Sequence, residues 1–112
     1  ATPADRAGAM RVCLLTGLEG ADATEIYLRD PDALGKRWVA PYLDLEPSNA
    51  FVLEELATSE VVGYCLAARN TTDFAVRMQK EYLPPIRLTH ADPGSCAKPT
   101  SDWTPEEEVY HE

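Results

Sequence analysis

Residues 50–69 read AFVLEELATSEVVGYCLAAR. Two apolar runs, 50–56 and 60–69, flank the short connection Ala57-Thr58-Ser59. That arrangement predicts a β-hairpin. The second run is apolar at nearly every position, as in a strand buried on both faces. Gly63 inside it predicts a bulge or a close approach of backbone. A hairpin alone is marginal in water, and about three strands are needed for independent stability. The strand at 60–69 therefore wants a second neighbour that these residues do not supply. The expectation is an incomplete sheet, completed by a further segment of the same polypeptide or by a second chain.

Upstream of the hairpin the periodicity is helical. Thr2-Pro3-Ala4-Asp5 places a hydroxyl at the N-cap, proline at the first helical position and a carboxylate at the third. Met10, Cys13 and Leu14 follow at helical spacing, and Gly17 is a natural stop, which predicts a helix over 3–16. Asp22-x-x-Glu25 predicts a second, shorter helix carrying Ile26 and Tyr27, ended by Asp30-Pro31. Pro31 then opens a further helix with Ala33, Leu34, Arg37 and Trp38 on one face. Pro41 has no N–H and its ring crowds the carbonyl four residues back, so that helix must break or kink there. Trp38 and Tyr42 flank the break; they either pin the fold-back to the core or line a pocket.

Downstream, Thr71 or Thr72 caps a helix to about Leu83, with Phe74 and Met78 inward and Pro84-Pro85 as its stop. Asn70-Thr71-Thr72 also fits a glycosylation sequon, but without a secretion signal it reads as a strand exit and a helix cap. Residues 88–103, rich in Pro, Gly, Ser and Thr, predict a loop. Thr104-Pro105-Glu106-Glu107 then repeats the helix-start pattern of residues 2–5.

Composition narrows the class. The chain has 112 residues, 45% hydrophobic, with a formal net charge of −9. Its size fits one domain or part of one. Residues 19–60 alone sum to −7. Clustered Lys and Arg are what phosphate backbones require, so nucleic acid is not expected as a partner. An acidic surface either keeps the protein soluble or attracts a cationic ligand such as an amine. No apolar run approaches the ~20 residues that span a bilayer, so no membrane partner is expected. Cys13, Cys65 and Cys96 are odd in number and widely spaced, which argues against a disulfide scaffold and for a reducing, cytoplasmic compartment. Cys13 and Cys65 read as small buried hydrophobes. His90, Asp92 and Cys96 match no metal-ligand spacing, so no metal is expected.

The order helix, helix, bent Pro-Tyr segment, hairpin, helix resembles the first half of the GNAT N-acetyltransferase fold. TGLEGADATEIYLRDPDALGKRWVAPYLDLEPSNAFVLEE (16–55), VVGYCLAARNTTDF (61–74), EYLPPIR (81–87) and DWTPEE (102–107) resemble the acetyltransferase-like domain at the C-terminus of O-GlcNAcase and its free-standing bacterial and fungal relatives. The resemblance runs from about Arg11 to Glu108. It implies an α/β (α+β) fold in which residues 1–112 form a partial GNAT-like domain, its helices packed on a mixed sheet of which about two strands lie here. It implies acetyl-CoA as the acetyl donor and a small-molecule or protein amine as acceptor, with the chain carrying the acceptor-side half and inactive by itself. The alternative is an inactive pseudo-acetyltransferase that serves as a protein-interaction module. A homodimer is compatible with either.

In this superfamily a Q/R-x-x-G-x-G/A loop opening a helix holds the coenzyme A pyrophosphate on backbone N–H groups. No two of the six glycines stand two apart, so that motif is absent, and family order places it beyond Glu112. The chain then holds no cofactor-binding residue. Tyr42 and Tyr27 are the candidates for bordering the acceptor pocket, and Asp22 and Glu54 for meeting the amine. Deprotonating an amine requires a carboxylate or a water chain. Each has a plainer reading: Asp22 as a helix cap, the tyrosines as core packing, Glu54 as a solvent-facing strand end.

Overall fold

A computed structural model describes residues 1–89, 104–106 and 109. Helix α1 (Arg6–Leu15) follows a 3-10 turn, Pro3–Asp5. The Asp5 carboxylate accepts the Thr2 N–H at 2.8 Å and the Thr2 hydroxyl at 3.2 Å, so the expected start of the helix is built. Ala9, Met10, Cys13 and Leu14 form its buried stripe. The helix ends before Gly17, whose N–H bonds the Leu14 carbonyl at 3.3 Å.

The helix expected from Asp22 is a single turn instead. Ile26 and Tyr27 N–H groups both bond the Ala23 carbonyl, at 3.0 and 3.2 Å, and the chain goes no further as helix. Only Ala23 of this stretch is fully buried, so no apolar stripe rewards a longer element. Helix α2 (Ala33–Trp38) begins after Asp30, whose carboxylate accepts the Asp32 N–H at 3.2 Å. Pro41 breaks the helix as expected, and α3 (Ala40–Leu45) continues from Val39 at φ −114°, ψ −54°. Val39 and Pro41 are the largest side chains with essentially no exposure. The small, stiff residues at the break therefore hold it.

Trp38 does not pin the fold-back. It is 55% exposed, with the Arg37 guanidinium 4.7 Å above its ring. Tyr42 does face inward, stacked on Phe74 with centroids 4.7 Å apart and planes inclined 22°.

A 3-10 turn, Pro47–Asn49, leads into strand β1 (Ala50–Glu54), which pairs antiparallel with β2 (Val61–Leu66). Leu53 opposes Gly63 and Glu54 opposes Val61, so Val62 is the extra residue of a bulge beside Gly63. The sheet has two strands among the described residues, and β2 is not buried on both faces. Cys13 is buried as expected, but Cys65 is exposed.

The last helical run is continuous where a stop was expected. Helix α4 (Thr71–Arg77) passes into a π-helical segment (Met78–Tyr82) and then α5 (Leu83–Thr89). Pro84 and Pro85 come directly after the π-helical segment, whose last bond runs from the Leu83 N–H to the Met78 carbonyl. The wider π turn resets the hydrogen-bond ladder just before them. Asn70, rather than either threonine, is the cap: its side-chain oxygen accepts the Asp73 N–H at 3.0 Å. The loop expected over 88–103 lies outside the described residues beyond Thr89. Pro105 and Glu106 are helical, as the sequence predicts, while Glu107 lies outside them.

The core joins one face of the hairpin to the helices. Ala9, Met10, Cys13 and Leu14 of α1 meet Leu34, Val39, Ala40, Leu45, Phe74 and Tyr82. Val52, Tyr64 and Leu66 pack on this cluster from the sheet side. Glu106 is buried and its Oε1 accepts the Arg29 N–H at 3.2 Å, which ties the C-terminal helical turn to the loop before α2.

Candidate functional site

The four sequence candidates fall into two pairs. Tyr27 and Tyr42 are half-buried against the same core. Asp22 and Glu54 are exposed, one in the loop after α1 and the other at the end of β1. The Asp22 carboxylate accepts both the hydroxyl and the backbone N–H of Thr24, the latter at 2.8 Å. Those two bonds, the hydroxyl first, hold its carboxyl below the usual carboxylate range. Asp22 thus closes a local turn, and the helix it was expected to cap does not form. Glu54 occupies the last paired position of its strand, opposite Val61.

Beside Leu43 and Asp44, the residues after Tyr42, the fold makes a feature that spacing did not show. A cavity of about 310 Å³ lies between the N-terminal turn and α3, lined by Ala1, Thr2, Pro3, Arg6, Leu43, Asp44 and Pro47. That volume is at the lower end for a small-molecule site. The Arg6 guanidinium and the Asp44 carboxylate meet on its wall at 2.7 Å, each nearly half exposed. An exposed pair is worth about 1 kcal/mol at most, so a ligand amine can compete for Asp44. Asp44 and Arg6 are 38 residues apart in the chain, and no local pattern links them. A smaller apolar cavity of about 50 Å³, between Arg37, Met78, Tyr82, Ile86 and Val109, has room for little more than a water molecule.

Two tyrosines outside the candidate set are perturbed. The Tyr82 hydroxyl donates to the Lys36 carbonyl, and burial, with the Asp44 carboxylate adding to it, pushes its pKa up to about 12. Tyr64 rises to about 12 through burial, with Cys13 beside it adding to the shift. Burial also pushes the Cys13 thiol up, and its bond with Tyr64 works against that. A neutral thiol held against a neutral phenol is a packing contact, not a nucleophile.

Coenzyme A requires an open helix N-terminus for its pyrophosphate. The helix that follows β2 does not offer one. Asn70 already fills its cap, and Asp73 places a carboxylate in its first turn. The starts of α1 and α2 stand beside carboxylates, Asp5 for the first and Asp30 and Asp32 for the second, and α3, six residues long, loses an N–H to Pro41 in its first turn. None of these starts is an open site for the pyrophosphate. Nor do the described residues include a group of three or more His, Cys, Asp or Glu side chains placed to hold a metal ion. None of their helices is long and apolar enough to cross a membrane.

The geometry has a solved counterpart. The crystal structure of SsHAT superposes with a TM-score of 0.82 at 29% sequence identity, over 98% of this chain and 51% of that one. The fold is HAT-like. Helices on a mixed α/β framework, with a two-stranded part of the sheet, are what a partial acetyltransferase-like fold contains. The chain spans about half the length of SsHAT. No protein-family model matches it.

Proposed function

We propose that these residues form the acceptor-side half of a GNAT-type acetyltransferase that moves an acetyl group from acetyl-CoA to an amine. The observation that carries this reading is the likeness to SsHAT across nearly the whole chain and only half of that protein. The coenzyme-binding half is supplied by polypeptide outside the 112 residues, either in the same chain or in a partner. The acceptor enters beside Tyr42, with Tyr27 as a second aromatic border. Asp22 and Glu54 remain the surface carboxylates proposed to meet an amine, and the cavity adds Asp44, two residues from Tyr42. The acidic balance of 19–60 favours a cationic acceptor over an anionic one. No observation favours the pseudo-enzyme alternative.

Calorimetric titration of acetyl-CoA, with an assay of coenzyme A thiol release across a panel of amines, tests this reading. The 112-residue chain is expected to show no saturable binding. The natural polypeptide that carries it is expected to bind acetyl-CoA and to release thiol only when an amine is present. Absence of both in that polypeptide, purified together with any partner chain that it binds, refutes the proposal.

A further inference from the structure

The cavity between the N-terminal turn and α3 carries one cation and one anion on walls that are otherwise mostly apolar, with Pro3, Leu43 and Pro47 among them. Arg6 commits one guanidinium N–H to the Asp44 Oδ1 at 2.7 Å. A guanidinium has five N–H donors, and an ionised carboxylate has two accepting oxygens. Among the described residues nothing else takes up the rest of the Arg6 fork or the Asp44 Oδ2. Thr2 already gives its hydroxyl proton to Asp5. Glu46, two residues beyond Asp44, is held by Arg77 at 3.5 Å and by the Asn49 amide at 3.1 Å. Asp44 is therefore the carboxylate left for a ligand.

The two wall charges together select what can enter. A plain amine that reaches Asp44 draws it away from Arg6 and leaves the guanidinium without its carboxylate. A plain carboxylate on Arg6 leaves Asp44 in the same state. A molecule that carries both charges replaces one ion pair by two, and neither wall charge loses a partner. A guanidinium also grips a carboxylate best through two parallel bonds, which the single bond to Asp44 does not use. The volume, about 310 Å³, suits one amino acid rather than a peptide segment or a long polyamine. Pro3, Leu43 and Pro47 favour an aliphatic side chain.

We propose that this cavity binds a free α-amino acid with an aliphatic side chain, its carboxylate on Arg6 and its ammonium on Asp44, and that such a zwitterion is the acceptor. The proposal rests on the acceptor-side reading above and narrows its acceptor from any amine to a zwitterionic one. In the transfer the ammonium releases one proton to water, and its freed lone pair forms the C–N bond at the thioester carbonyl. The C–S bond breaks, and coenzyme A leaves as the thiol with the second proton of the amine.

The probe is L-leucine, set against isoamylamine, which is leucine without its carboxylate, and isocaproate, which is leucine without its ammonium. Binding is read by calorimetry at low salt, without acetyl-CoA, on the natural polypeptide that carries these residues together with any partner chain that it binds. Leucine is expected to bind saturably and about tenfold tighter than either fragment. Arg6→Gln should bring leucine down to the level of the amine, and Asp44→Asn to the level of the carboxylate. Circular dichroism should be unchanged in both, because the two side chains are nearly half exposed. No saturable binding of leucine, an amine or a carboxylate that binds as well as leucine, or binding indifferent to Arg6→Gln each overturns the proposal. The comparison of three ligands needs no variant, so it stands even if a substitution disturbs the fold. Thiol release then separates the two readings. Release with isoamylamine but not with leucine overturns this proposal and leaves the transferase reading intact. Selective leucine binding with no release on any amine overturns the transferase reading and the acceptor role with it, and keeps the cavity as an amino-acid site.

Discussion

Gly8→Ala is expected to destabilise the chain even though it lies in a helix. In an open helical position, alanine gains roughly 0.5–1 kcal/mol over glycine because it has less backbone entropy to lose. At Gly8 a Cβ would stand 2.7 Å from the Val61 Cβ and 2.8 Å from its Cγ2. Val61 is the first residue of β2, buried, and stiff at χ1 because it is β-branched. It cannot swing away, so α1 and the strand must separate by several tenths of an ångström. Overpacking of this kind costs roughly 1–3 kcal/mol. The balance is a loss of about 0–2 kcal/mol, or a fall of several degrees in Tm for a domain of this size. Gly35→Ala serves as the control. There the nearest atoms are the far end of the flexible Met10 side chain, which can rotate out, so the loss should be smaller. Thermal unfolding followed by circular dichroism measures both. A Tm for Gly8→Ala above that of the parent would refute the close docking of α1 on β2, and with it the sheet position assigned here.

Three further outcomes follow from the same geometry. Trp38→Ala should cost under about 1 kcal/mol in denaturant unfolding and Val39→Ala more, since Val39 is fully buried and truncating a buried aliphatic side chain leaves a cavity. The reverse order would restore Trp38 as the anchor of the bend. Raising pH should destabilise the fold from about pH 10 to about pH 12. The unfolded chain loses Tyr protons near 10 while Tyr64 and Tyr82 keep theirs to about 12, so their contribution is whole below 10 and gone above 12. Absorbance titration near 295 nm should show two tyrosines ionising late, and Tyr64→Phe should remove one of them. In a Cys96→Ser background, Cys65 should react with a thiol reagent at once and Cys13 only on unfolding, because Cys13 is buried with its thiol pKa raised. Two fast thiols would contradict the packing of α1 on the sheet.

Local grammar carried much of the architecture. The hairpin, the bulge at Gly63, the cap at residues 2–5 and the break at Pro41 were all legible, because each depends on backbone chemistry within a few residues. Other readings failed, Pro84-Pro85 and Trp38 among them. Pro84-Pro85 reads as a helix stop, yet a π-helical segment leads straight into α5 and the prolines stand within it. Trp38 and Val39 are adjacent, and composition favours the larger as the anchor. The rotation of α2 against α1, where Gly35 lies close to Met10, turns Val39 inward and leaves Trp38 to Arg37.

The site divides along the same line. Tyr42 could be singled out from the sequence because a proline and an aromatic side by side mark a bend. Asp44 could not, because what makes it interesting is Arg6, brought beside it from 38 residues away. Sequence alone determined the hairpin, the first helix and the break at Pro41, the absence of a glycine-rich phosphate loop and the acidic balance, since these are properties of short stretches and of sums. Only the tertiary structure decided which face of the hairpin is dry, which side chain holds the bend and where a cavity opens. Those depend on distances between segments that periodicity does not encode.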